Sequence, residues 1–157
     1  MATRLVGVIG TSKATPPIAE LAYETGRLLA LNGCTVVCGG MGGVMEEAAR
    51  GAASAGGASI GLLPRARSEA NPYLTYALPT GLGEARNFVI THAVGVLIAI
   101  GGGLGTLSEI AMALRLGKPV ITLRSWTAHD EEGRPMPVRC AETPEEAVRM
   151  ALEEPDR

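Results

Sequence analysis

The sequence predicts an α/β protein: one doubly wound parallel sheet with helices on both faces. Short runs rich in Val and Ile alternate with amphipathic helical segments along the whole chain, the pattern of strands buried on both faces by crossover helices. Two of those runs pass through a glycine-rich turn straight into a helix. The chain has 157 residues, 46% of them hydrophobic, with no linker or internal repeat beyond the two turns, so a single domain over 1–157 is expected.

Taken in order, strands are expected near 4–9, 34–38, 58–63, 95–100, 119–123 and 137–140. The first helix is expected over about 17–31. It opens on a proline and stops at Asn32-Gly33, a left-handed terminus. TVVCGGMGGVMEEAARGA places a buried strand, a glycine turn and a helix over 44–55 in succession. Residues 64–83, PRARSEANPYLTYALPTGLG, break the rhythm as a long polar, proline-bearing connection, read as a lid or specificity loop or as a plain surface excursion. GEARNFVITHAV then starts a helix whose first turn carries Glu84, Arg86 and Asn87. Residues 127–137 read as a solvated loop. Thr143-Pro144-Glu145-Glu146 opens the last helix as a capping box.

Composition narrows the function. A net charge of −2, spread without blocks, gives no electrostatic case for a nucleic acid or membrane partner. The chain enters a strand pattern without a charged leader, and no apolar run approaches a membrane span, which together predict a cytoplasmic protein. Cys34, Cys38 and Cys140 lie on or beside apolar strands and are odd in number, which suits reduced, buried thiols. His92 and His129 stand far apart with no partner at ligand spacing, so no metal site is expected.

The chemistry concentrates in the two turns. In IAIGGGLGTLSEIAMAL, Gly101, Gly102, Gly103 and Gly105 clear side chains from the path of an anion, while the following helix, in which Thr106 joins the candidate binding residues, aims free N–H groups at the same spot. Gly39, Gly40, Gly42 and Gly43 form the earlier turn, and the two are expected side by side at the carboxyl edge of the sheet. Either turn also has a purely steric reading, because a tight strand-to-helix turn needs glycine. Neither carries the Lys-Ser/Thr pair of a P-loop or the acidic residue that receives a dinucleotide ribose, so ATPase and dehydrogenase functions are disfavoured. Arg86, at a helix start, can hold a phosphate or base in bidentate fashion or pair with Glu84 at the surface. Glu109, one turn into its helix, can act on a sugar phosphate or complete a capping box with Thr106.

GGMGGVM, EARN and GGGLGTLSE, in this order and spacing, resemble the LOG-like (LONELY GUY) proteins of the SLOG superfamily, long mislabelled lysine decarboxylases. The resemblance runs from the Gly10-Thr11-Ser12 turn to about Val120. It matches the family motif PGGxGTxxE at Gly102, Gly103, Gly105, Thr106 and Glu109, with Gly101 in place of the proline. It implies a Rossmann-like domain that binds a phosphorylated small molecule at Gly10, Thr11, Ser12 and the two glycine turns. In members that cleave AMP or cytokinin nucleotides, an arginine and a glutamate serve catalysis, which by position implies Arg86 and Glu109. That branch has Arg-Lys where this chain has Arg86-Asn87, and IAIGGGLGTLSEIA and CGGMGGVMEEAARGA are more similar to the branch that includes molybdenum cofactor carriers. Decarboxylation itself fails on chemistry, since only Lys13 and Lys118 exist and both read as ordinary surface or strand-edge residues.

Two functions therefore stand. One is a carrier or sensor of a phosphorylated nucleotide-like ligand; the other is a phosphoribohydrolase that releases base and ribose 5-phosphate from a nucleoside monophosphate. No cofactor is required by either, and the expected occupant is a nucleotide, phosphate or molybdopterin-type ligand. Apolar faces around 88–94 and 110–116 further predict a homodimer or higher homo-oligomer.

Overall fold

A computed structural model describes residues 3–156; the terminal Met1, Ala2 and Arg157 of the expected 1–157 domain lie outside the described residues. Buried parallel strands read as continuous apolar runs, and the runs form strands where expected. They are β1 (Leu5–Gly10), β2 (Thr35–Cys38), β3 (Ser59–Leu63), β5 (Val96–Ile100), β6 (Val120–Leu123) and β7 (Arg139–Ala141). A further strand, β4 (Tyr76–Pro79), lies inside the stretch read as an irregular loop. It pairs parallel with β3 at the sheet edge. An edge position explains its proline and its exposed Tyr76 and Leu78, since one side of the strand has no ladder to maintain.

The strand order is β4-β3-β2-β1-β5-β6-β7, all parallel. The chain builds outward from β1 to β4, returns to the other side of β1, and builds outward again. The reversal between β1 and β5 leaves a crevice at the carboxyl ends of those strands, where ligands bind in doubly wound sheets. Helices α1 (Pro16–Leu31), α2 (Val44–Ser54) and α5 (Pro144–Glu153) cover one face of the sheet through a core that includes Val8, Leu29, Val36, Ala48, Ile98 and Val148. Helices α3 (Arg86–Ala93) and α4 (Leu104–Arg115) cover the other, over Ile9, Val37, Leu97 and Ala99.

Local chemistry sets the ends. After α1, Gly33 takes φ 74°, its N–H donates to the Ala30 carbonyl and that of Cys34 to Leu29, so the left-handed stop forms as read. Thr143 caps α5 by accepting from the Glu146 N–H, and the Glu146 carboxylate reaches back to the Glu142 N–H. Helices α1 and α2 cross almost backbone to backbone. A Cβ on Gly26 would lie 2.8 Å from the Ala48 carbonyl carbon, and one on Gly51 would lie 2.8 Å from that of Tyr23. Cys34 and Cys38 are buried, but Cys140 is exposed, because β7 is the opposite edge strand and offers one covered face. No helix among the described residues is long and apolar enough to cross a membrane.

Candidate functional site

Three turns meet at the switch point. The strand order puts the turn after β1 between the glycine turns after β2 and β5, and residues of all three line one cleft. Thr11 sits between them, its carbonyl accepting from the Val44 N–H at 3.0 Å and its methyl 3.4 Å from where a Cβ on Gly101 would be. Together with α3 and α4 they enclose a cleft of about 380 Å³. Gly10, Thr11, Ser12, Gly39, Arg86, Gly103, Gly105, Thr106 and Glu109 all line it, joined by Ile9, Met41, Met45, Glu84, Asn87 and Leu104.

The glycines divide by task. At Gly103 and Gly105 a Cβ would meet no protein atom within 4 Å, so these two leave backbone bare toward open space at the start of α4. The leading N–H groups of a helix have no intrahelical acceptor and carry its positive dipole end, so the chemistry of this bare helix start suits an anion. Gly39 makes room for protein instead: a Cβ there would lie 2.8 Å from Arg86 Nη2 and 2.5 Å from Met45 Sδ. Gly40, Gly42, Gly43 and Gly102 are not on the cleft wall. Gly40, at φ 78°, faces Gly61 and Leu74; Gly43, at φ 64°, faces the Thr11–Ser12 backbone, and Gly42 lies nearest Ser12. Gly102 faces the Trp126 indole. For Gly40, Gly43 and Gly102 the steric reading fits the geometry, and they shape the turns from behind, whereas a Cβ on Gly42 would make only ordinary contact.

Arg86 is the first residue of α3 and is only 8% exposed, so it is not a surface arginine paired with Glu84. Its hydrogen-bonding partners are weak for a buried cation. Nη1 donates to the Asn87 side chain, Nη2 donates to the thioether of Met41 at 3.7 Å, and Nε has no partner. Burial holds its pKa below the usual arginine range, opposed chiefly by the charge of Glu109. A desolvated guanidinium with an unsatisfied N–H and no carboxylate ion pair among the described residues leaves capacity for an anionic ligand.

Glu109 is 6% exposed. The capping box read at Thr106 and Glu109 does not form: Gly103 is the N-cap, in extended conformation and without a side-chain cap, so α4 starts before Thr106. Glu109 therefore projects from within the helix. Burial pushes its carboxyl up to about 7, against the pull of Arg86. A carboxyl raised this far can give or take a proton near neutral pH.

Two supports of the site carry little signal in the sequence. Asn71 lies in the β3–β4 connection and is buried. Its amide donates to the carbonyls of Gly40 at 3.2 Å and Met41 at 3.0 Å, and its backbone N–H also donates to Gly40. That staples the supposed lid to the β2 turn. An Asn-Pro pair signals a turn, which was its one local clue. The other support is Trp126, whose Nε1–H donates to the Gly103 carbonyl at 2.9 Å. It belongs to the chain after β6, beside the stretch read as plain solvated loop.

With this geometry in view, the chain resembles proteins of known structure along nearly its full length. The molybdenum cofactor binding protein of the phototrophic bacterium Rippkaea orientalis is 37% identical, with a TM-score of 0.86 and 97% of each chain covered. A Moco carrier protein from Chlamydomonas reinhardtii is 31% identical, with a TM-score of 0.85 and the same coverage. An uncharacterized protein of Archaeoglobus fulgidus is 42% identical over 147 residues, 94% of this chain and 93% of its own. The SLOG cluster4 family model matches residues 3–148, and the chain belongs to that family.

Proposed function

We propose that the chain binds a phosphorylated, nucleotide-like ligand in this cleft and acts as a carrier or sensor of the molybdenum-cofactor-carrier type. The observation that carries the reading is Arg86: a buried guanidinium with an orphan Nε and no carboxylate partner among the described residues, in one cleft with the bare start of α4. A phosphate monoester satisfies both, because its oxygens accept from backbone N–H groups and from a guanidinium together. Likeness to the Rippkaea and Chlamydomonas proteins favours a phosphorylated pterin as occupant.

The residues fit such a group at both ends. Gly103, Gly105 and Thr106 suit its phosphate, and the thioethers of Met41 and Met45 supply a soft, polarizable wall for a flat heteroaromatic ring. Bound there, the pterin would supply its own metal-binding chemistry; the chain's residues hold the phosphate and cover the ring.

The hydrolase reading has one observation of its own, Glu109. A buried carboxyl pushed up to about 7 beside a guanidinium is what protonation of a leaving base or positioning of a water requires. In that reading Arg86 fixes the nucleotide and Glu109 serves the cleavage of the glycosidic bond.

The deciding experiment is mass spectrometry of the small molecule released when gently purified protein is denatured, paired with incubation of the protein with AMP. A retained phosphorylated pterin or nucleotide without base release supports the carrier reading. Release of adenine with turnover supports the hydrolase, and no retained or bound phosphorylated compound of any kind overturns both.

A further inference from the structure

Trp126 does not line the cleft, yet it is bonded to the backbone that does. It is the only tryptophan in the chain, and its half-buried ring packs against the core cluster beneath α3 and α4. Its Nε1–H donates to the carbonyl of Gly103, and the same oxygen accepts the first helical bond of α4 from the Leu107 N–H at 3.0 Å. Gly102 is shaped to admit the ring, since a Cβ there would lie 3.0 Å from the indole nitrogen and 3.3 Å from Cδ1.

The consequence follows from the planar peptide. The Gly103 carbonyl and the Leu104 N–H belong to one rigid unit and point in opposite directions, so a bond that fixes the oxygen also fixes the aim of the amide. That amide is among the first in α4 and has no acceptor within the helix. Gly103 has no side chain to hold the unit itself, and glycine backbone is the least restrained of any residue.

We propose that Trp126 is a positioning residue for anion binding: its indole N–H locks the Gly103–Leu104 peptide so that the leading amides of α4 converge on the ligand phosphate. This rests on the phosphate reading given above. It also ties the β6–β7 connection to the cleft, so that ligand occupancy is felt at a residue outside the pocket.

A sole tryptophan permits an isosteric test. Replacing it throughout the chain by 3-benzothienyl-alanine keeps the shape of the ring system but puts sulfur in place of the N–H; Trp126→Phe is a second variant. Calorimetry with AMP, adenosine and inorganic phosphate then measures the phosphate contribution as the ratio of AMP to adenosine affinity. Loss of one positioning hydrogen bond is expected to lower that ratio about fivefold to tenfold in both variants while adenosine affinity is unchanged. In the wild type, inorganic phosphate should shift tryptophan emission with the midpoint that calorimetry gives. An unchanged ratio in a folded benzothienyl protein overturns the role of Trp126 while leaving phosphate binding intact. Wild-type protein that binds neither AMP nor inorganic phosphate overturns the phosphate reading and this inference with it.

Discussion

Arg86 and Glu109 face one cleft from adjoining helices, both more than nine-tenths buried and of opposite charge, and they do not form an ion pair. Each feels the other: the carboxylate raises the guanidinium pKa, and the guanidinium lowers that of the carboxyl. In both cases desolvation outweighs the partner. With no ion pair between them, both side chains stay open to a ligand in the cleft they line.

The first prediction concerns stability against pH. The Glu109 carboxyl rises from 4.5 to about 7 on folding, so the folded state binds the proton more tightly than the unfolded chain. Stability contributed by the neutral form is therefore full below pH 4.5, declines as pH rises, and is gone above about 7. The span corresponds to roughly 3 kcal/mol. Glu109→Gln, which stays neutral, should show a flatter profile than wild type in denaturant melts, with its relative advantage growing between those pH values. Parallel profiles would show that Glu109 titrates at its ordinary value.

Phosphate dependence is tested by ligand melts. AMP at ~100-fold excess over its dissociation constant should stabilise by about 2.7 kcal/mol, and adenosine far less. Gly103→Leu should abolish the AMP shift without disturbing the fold, because its backbone is extended and nothing stands within 4 Å of the new Cβ. Equal shifts from AMP and adenosine count against a phosphate site.

Arg86→Lys separates charge from shape. An ammonium keeps the positive charge but loses the planar fork and cannot fill the space beside Gly39 in the same way. Affinity for AMP should fall by about tenfold or more with little change in adenosine affinity. If adenine release is observed, Glu109→Gln should reduce its rate by at least about 100-fold at nearly unchanged melting temperature.

Self-association is expected through the α3–α4 face. Phe88, Val89 and Leu116 stand exposed there, and Leu104, 78% exposed, stands at the rim of the cleft. Apolar side chains of this size gathered on two packed helices suit a subunit contact. Light scattering at a concentration on the order of tens of micromolar should find a dimer or larger assembly, and Phe88→Glu should shift it toward monomer.

The parts of this architecture that were legible in sequence are those set by local pattern. Val36, Val37, Leu97 and Ile98 read as buried strand because both faces of a parallel sheet are covered, and Asn32-Gly33 reads as a helix stop because φ near +74° suits glycine. Tyr76–Pro79 was not legible, since an edge strand with one solvent face and a terminal proline has the composition of a loop. Thr106 and Glu109 have capping-box spacing, but Gly103 permits the helix to begin earlier and removes the reason for it. The roles of Asn71 and Trp126 depend on contacts 31 and 23 residues away in the chain, beyond any local pattern. Arg86 could be singled out by its place beside the turns, whereas its burial could only come from the packing of α3 against the sheet.

The near-contact of α1 and α2 at Gly26 and Gly51 has a mechanical meaning. Helices that touch through main chain cannot slide without breaking that fit, and the Val44 N–H bond to Thr11 couples the turns that precede them. The β1 and β2 side of the cleft is thus a fixed jaw, stapled further by Asn71. Opposite it stand α3, two turns long, and the glycine start of α4, where the indole bond of Trp126 joins the first helical bond on the Gly103 carbonyl. Any closure on a ligand, and its later release, is left to that second jaw.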